Sequence, residues 1–179
     1  MYPEILTNML SWKLIKLQIL VVMGLLSACG SYDFTLNDKL LKRSQQLFTD
    51  YQIGDKHLHR CIKQAIFDNN ISQASELEDI NCSHAGILSI NGLEGFSNLK
   101  RVKLSHNKIS NIDNIRNLHK LEALYISHNH ILDFLPILSL VQLQELDVSN
   151  NPNLKCPIKL QLKNIRKVIL PKHCTNRMR

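Results

Sequence analysis

The chain has 179 residues, 44% of them apolar, with 22 Lys and Arg against 15 Asp and Glu, a composition that fits one domain able to bury a core and excludes wholesale disorder. The formal net charge of +7 is unevenly placed: Lys155 to Arg179 holds eight Lys or Arg and no acid, whereas residues 29–154 hold 12 basic and 14 acidic. That asymmetry excludes a uniform basic field for nucleic acid.

At the amino end, Lys13 and Lys16 precede an apolar run from Ile19 to Leu26 that closes on Leu26-Ser27-Ala28-Cys29. A basic flank, a short apolar run and small residues read as a signal peptide over residues 1–28. The run is well short of the roughly 20 apolar residues that a permanent span needs. A start at Met9 makes the leader more compact and is read as the true start. Leu26 to Cys29 resembles the bacterial lipobox. The resemblance implies diacylglyceryl transfer to the Cys29 thiol, cleavage before Cys29 and acylation of the new amino terminus. The protein is then lipid-anchored in the bacterial envelope, and Gly30 in place of Asp implies the outer membrane of a Gram-negative cell. A plain signal peptide or a buried apolar segment is the alternative reading of the same run.

Residues 29–54 read as a tether, over 30–37, followed by a weak helix from Asp38 to Phe48 with Leu40, Leu41, Leu47 and Phe48 on one side. In the next region, 55–76, Leu58, Cys61, Ile62, Ala65 and Ile66 keep the i, i+3, i+4, i+7, i+8 spacing of an amphipathic helix. Asp55 is its N-cap, and Asn69-Asn70 its stop.

From Leu77 to residue 164 the sequence repeats every 22 residues. Leu99, Leu121 and Leu143 begin three copies, continued by Val102 and Leu104, Leu124 and Ile126, and Leu146 and Val148, with Asn107, Asn129 and Asn151 at the ninth place. The second halves correspond as well: Ile109, Ile112, Ile115 and Leu118 are answered by Ile131, Phe134, Ile137 and Leu140. One period back stand Leu77, Ile80, Cys82, Ile87, Ile90, Leu93 and Phe96, and one period forward Ile165, Val168 and Leu170. Apolar alternation in Leu-x-Leu predicts a strand with one face buried, and a coil this short covers its apolar side only by stacking on another. The Asn, placed where the chain leaves the strand, has the donors and acceptor to satisfy turn backbone groups. Ala85 and His173 break the Asn column, at the two ends, and Pro136 argues against a regular helix opposite the strand of its copy.

This Leu-x-x-Leu-x-Leu-x-x-Asn-x-Ile pattern resembles the leucine-rich repeat, in the 22-residue form of internalins and phosphatase-regulatory repeat proteins, over about residues 55–174. The resemblance implies an α/β solenoid with a parallel sheet on its concave face. The amphipathic helix of 55–76 then caps one end, and a strand with the basic tail, 165–179, caps the other. Of five cysteines, Cys29 is assigned to lipid and four remain. Cys61 sits on the apolar face of the cap helix, Cys82 replaces a strand Leu, Cys156 replaces a core Ile, and Cys174 follows the last strand. Three pairings are possible; only Cys61–Cys82 with Cys156–Cys174 joins neighbours and staples both ends, and buried free thiols are the alternative.

Between the apolar positions, the strand residues form two columns on the concave face: Asp79, Arg101, Ala123, Glu145, Lys167, and Asn81, Lys103, Tyr125, Asp147, Ile169. Tyr125, flanked by Lys103 and Asp147, is the anchor candidate, because amphipathic aromatics and Arg dominate binding energies. A solvated face without a ligand is the bland reading. A further column, Ser83-His84, Ser105-His106, Ser127-His128 and Ser149-Asn150, has no carboxylate or thiolate in the same column, even with His130 nearby. It therefore lacks a convincing metal set and, with no orienting acid or oxyanion site, a catalytic triad. No phosphate loop, His-Glu-x-x-His or Cys-x-x-Cys occurs. The expectation is a monomeric, cofactor-free, non-enzymatic module that binds a protein or glycan, not nucleic acid, and meets the membrane through its lipid anchor. A structural spacer or assembly factor is the alternative. The basic tail reads as a solvated cap, or as a contact to anionic lipid or envelope polymer.

Overall fold

The computed structural model describes residues 34–36, 39–42 and 46–175. Cys29 and the leader lie outside them, and no helix among the described residues is long and apolar enough to cross a membrane. Two compact units divide the chain at Ser44 and Gln45. In the first, β1 (Phe34–Leu36) pairs antiparallel with β2 (Lys39–Lys42) in a hairpin. This corrects the tether and weak helix expected there: residues 34–36 and 39–42 are strand, and Leu47 and Phe48 lie in a non-helical segment of the second unit. Leu40-Leu41 and Leu47-Phe48 are doublets seven residues apart with only polar residues between, so a helix there has too thin an apolar stripe to hold itself on a core.

The second unit is a solenoid. Strands β3 (Asp79–Asn81), β4 (Arg101–Lys103), β5 (Ala123–Tyr125), β6 (Glu145–Asp147) and β7 (Lys167–Ile169) form one parallel sheet in chain order. Every pair is in register at 22 residues, Ile80 against Val102, Leu124, Leu146 and Val168 in turn. Each strand is three residues long with its middle side chain inward: Ile80, Val102 and Leu146 are buried between exposed or half-exposed neighbours, and in β5 Ala123 is buried beside Leu124. Opposite the sheet the coils close through 3₁₀ turns at Leu93–Gly95, Asp113–Asn117 and Leu135–Ser139, not α-helices, and Pro136 sits in the first turn of the third. Between these layers the repeated Leu, Ile and Phe positions form one continuous buried core from Leu58 to Leu154.

Three asparagines tie the coils together. Asn107, Asn129 and Asn151 accept the backbone N–H of Ile87, Ile109 and Ile131, each one coil back, at 2.9 to 3.0 Å. Their Nδ2 atoms donate to the carbonyls of Cys82, Leu104 and Ile126 in that preceding coil and of Leu104, Ile126 and Val148 in their own. One buried amide thus satisfies backbone groups of two coils, which explains why Asn recurs at this position. The residue just before this position is left-handed in every copy, φ 53 to 59° at His84, His106, His128 and Asn150.

At the amino end Ala85 breaks this column, and another residue serves the adjoining backbone. Helix α1 (Lys56–Asp68) buries Leu58, Ile62 and Ile66. Its N-cap Asp55 accepts from His57 and Leu58 with one carboxylate oxygen and from Leu88 and Ser89 with the other. Burial alone would raise the Asp55 carboxyl; the four backbone donors outweigh it and hold the group below its ordinary range. A strap ahead of the helix, residues 46–53, lays Phe48 and Tyr51 against the buried Phe96, with ring centroids 6.1 and 5.6 Å away. The Cys61–Cys82 disulfide pins α1 to the coil of β3, so the otherwise open end of the core is covered.

The carboxyl end carries the second disulfide, Cys156–Cys174, the latter in the short helix α2 (Lys172–Thr175). His173, one period after Asn151, sets a ring nitrogen 3.0 Å from the Leu154 carbonyl. Cys156 does not take the core place of an Ile: it is half-buried, and Leu154 and Pro157 are buried instead. Pro152-Asn153 delays the first apolar residue, so this coil runs one residue late against Ile131 and Phe134 before β7 restores the period. Each disulfide closes a loop of 21 or 18 residues. The chain-entropy model assigns such loops about 3 kcal/mol apiece.

Candidate functional site: the concave face

The strand register that stacks the core also stacks what faces away from it. Asp79, Arg101, Ala123, Glu145 and Lys167 share one row across the sheet, and Asn81, Lys103, Tyr125, Asp147 and Ile169 the other. Five strands at about 4.8 Å spacing make a face roughly 20 Å across. Along it the charges answer each other. Arg101 pairs with Asp79 at 3.2 Å and Lys167 approaches Glu145 at 4.0 Å. All four are substantially exposed, so these pairs order the face more than they stabilise it. Arg166 also donates to Gln144 at the same end.

Tyr125 sits at the middle of the sheet, half-buried, but its bond runs across the rows and not along its own. The phenol donates to Glu145 Oε2 at 2.5 Å. That bond, with burial behind it, raises the Tyr125 hydroxyl, and the same bond, helped by the charges of Lys167, Arg101 and Arg166, holds Glu145 low against desolvation. The sequence columns placed Asp147 beside Tyr125, and so it is; Asp147, however, is engaged with the backbone and hydroxyl of Ser149. Lys103 stands 5.8 Å from the Tyr125 ring centroid, within cation–π range. With its hydroxyl committed, Tyr125 offers a partner its ring.

Sequence reasoning missed the far wall of this face. Between α1 and the edge of the sheet lies a cleft of about 800 Å³. Arg60, Gln64 and Asp68 line it from the helix, and Asp79, Asn81, Arg101 and Lys103 from the strands. The 60, 64, 68 spacing of polar residues on α1 was the available signal, but nothing in it says that this side of the helix turns toward the strands. A shallower hollow, about 430 Å³, continues from Arg101 and Lys103 to Tyr125. The eight polar residues of the two concave columns all lie on the five strands, and the cleft joins the first four of them, Asp79, Asn81, Arg101 and Lys103, to the helix.

The histidine column forms a stack. His84, His106 and His128 lie face to face with centroids 4.2 and 4.0 Å apart and planes within 14°. Parallel rings hold their nitrogen lone pairs parallel, so they do not converge on one ion. Lying between the other two, His106 is held below its ordinary value, by desolvation first and then by its neighbours' charge. Elsewhere among the described residues, one group gathers three donors, Cys156, His173 and Cys174, and there the sulfurs are bonded to each other.

Comparison with known proteins places this geometry. Residues 97–139 match the family described as Leucine Rich repeats (2 copies). Among solved structures, internalin F of Listeria monocytogenes is 22% identical, with a TM-score of 0.55, over 67% of this chain and 44% of its own. Internalin C2 of the same organism is 26% identical, TM-score 0.48, over 54% of this chain and 42% of its own. The chain thus spans less than half the length of either. No curated protein matches. The fold is a leucine-rich-repeat solenoid, with its parallel sheet on the concave face, a helix at the amino end and a disulfide near each end.

Proposed function

We propose that this chain is a non-enzymatic interaction module whose concave face recognises a protein or glycan, held at the bacterial envelope by lipid on Cys29. The observation that carries the reading is the Tyr125 ring. It is fixed by its bond to Glu145, bordered by Lys103, and continuous through Arg101 with the cleft under α1. A rigid aromatic with charges of both signs around it loses little entropy on binding and offers both stacking and polar contacts. The face is small for a tight protein interface, which needs about 800 Å² per partner, and the cleft wall of α1 supplies the extra surface.

A photo-crosslinking residue at the exposed Asn81, in the native host, is expected to give a discrete adduct, and one at the exposed Ser97, beyond the first 3₁₀ turn, none. Combining Tyr125→Ala with Arg101→Ala is expected to weaken the Asn81 adduct by about tenfold or more, at 1 to 2 kcal/mol for each anchor. An adduct equally strong from Ser97, or untouched by the double substitution, would transfer the role to a spacer whose face binds nothing specific. Tethering is tested separately: Cys29→Ser is expected to let high salt release the protein from the membrane, and membrane retention in high salt equal to that of the unsubstituted chain would remove the lipid anchor from the proposal.

A further inference from the structure

On the side away from the sheet, the repeats differ from one another in a way the core does not demand. At three equivalent positions outside the core the first coil has Asn91, Glu94 and Ser97, the second Asp113, Arg116 and His119, and the third Leu135, Leu138 and Val141. Those three apolar side chains are 52, 38 and 81% exposed. The following coil adds Ile158 and Leu160, 62 and 67% exposed, and Leu132 borders the group at 49%. Stacking does not require Leu135, Leu138 and Val141, because the first two coils close with polar residues at those three places; at the place of Leu132 the first coil has Leu88, 60% exposed, and the second Ser110.

Charge changes over the same coils. Lys155, Lys159 and Lys163 lie within the coil that carries Ile158 and Leu160, and none of the three enters an ion pair among the described residues. The one acid in segments 132–143 and 154–163 is Asp133, which accepts the Leu135 N–H at the start of the 3₁₀ turn. Exposed leucine, isoleucine and valine beside unpaired lysines is the composition of a surface that enters the headgroup layer of an anionic bilayer. The apolar side chains reach the acyl boundary while the ammonium groups stay at the phosphates. A protein partner would favour aromatics and Arg and would deplete Lys, the reverse of what stands here.

We propose that the side of the third and fourth coils opposite the sheet, from Leu132 to Lys163, docks on a membrane surface rich in anionic lipid. This surface is separate from the concave face and does not depend on what that face binds. Docked by this side, the solenoid turns its sheet away from the bilayer.

The test reads which face meets the lipid, so a lipid or leader anchor shared by every variant does not confound it. In the full chain with Trp12→Phe, single tryptophans are placed by Leu138→Trp or, at the equivalent position one coil earlier, Arg116→Trp, with Leu160→Trp as a second apolar-face probe. Vesicles of phosphatidylglycerol with brominated chains are expected to quench the tryptophans at 138 and 160 and to leave that at 116 unquenched. Changing Lys155, Lys159 and Lys163 together to Glu is expected to lower the quenched fraction by at least about tenfold, each lysine near such a surface contributing roughly a fivefold factor. Equal quenching at 116, no quenching at 138 and 160, or the same quenching on phosphatidylcholine alone would overturn the proposal. So would a blue shift without vesicles that grows with protein concentration, since the occupant would then be a second copy of the chain.

Discussion

Replacing Asn129 by Ala is expected to lower the thermal midpoint by roughly 10 °C, corresponding to about 3 kcal/mol for a unit of this size. The side chain is 2% exposed. It accepts from Ile109 N and donates to the carbonyls of Leu104, Ile126 and Ser127. Truncation therefore strands groups of two successive coils in the interior, at about 1 to 3 kcal/mol for each one left without a partner. The loss also falls on the contact between coils, and in a stacked array that contact is what makes unfolding cooperative. Scanning calorimetry is the check. Asn117→Ala, which removes the same amide from an exposed position in the 3₁₀ turn, is expected to match the unsubstituted protein. A shift of less than about 3 °C for Asn129→Ala would mean that the ladder holds nothing the leucines do not already hold.

The second large effect belongs to Gly92. Its φ is +95°, and a Cβ built there would stand 2.1 Å from the Gln52 carbonyl oxygen and 3.1 Å from Ile53 Cα. Both obstacles are backbone, so no rotamer change relieves them. Gly92→Ala combines a left-handed strain of about 1 kcal/mol with displacement of the strap that carries Phe48 and Tyr51 onto Phe96. A destabilisation of about 3 kcal/mol or more is expected, together with new proteolytic cleavage in residues 46–53. Gly95 lies three residues on with nothing within 4 Å of its own would-be Cβ. Gly95→Ala is thus expected to leave both measurements unchanged, and a strap equally protected in Gly92→Ala would show that the close approach is not a constraint.

The two sites differ in how they could have been found. Asn129 is announced by its copies one period away at Asn107 and Asn151, and the chemistry of an amide beside a turn already suggests its task. Gly92 has no such copies: its equivalents are Asn114 and Pro136, and only the segment lying across it makes a side chain intolerable. The candidate site divides likewise. Both columns of the concave face follow from the alternation of strand residues at a fixed period, but the Tyr125–Glu145 bond crosses between columns, and the cleft under α1 depends on how a helix is seated.

Legible in the order of residues alone are the repeat length, the strand register, the core positions of the first three coils, the asparagine ladder and the cap helix with its Asp55 start; the cysteine pairing stayed open until the folded chain brought each pair together. These are demands that every coil makes alike, or that 3.6-residue spacing makes locally, so each leaves its trace in the order of residues. The β1–β2 hairpin, the strap over Phe96, the one-residue delay that puts Leu154 and Pro157 where Cys156 was expected, and the wall of the cleft come from the folded chain and not from its pattern. The strap, the delay and the cleft wall occur once, at the ends of the stack, where an exposed core must be covered by whatever segment reaches it; the hairpin belongs to the first unit. A contact made once between segments distant along the chain leaves no period to read, and its energy is settled only when both surfaces are in place.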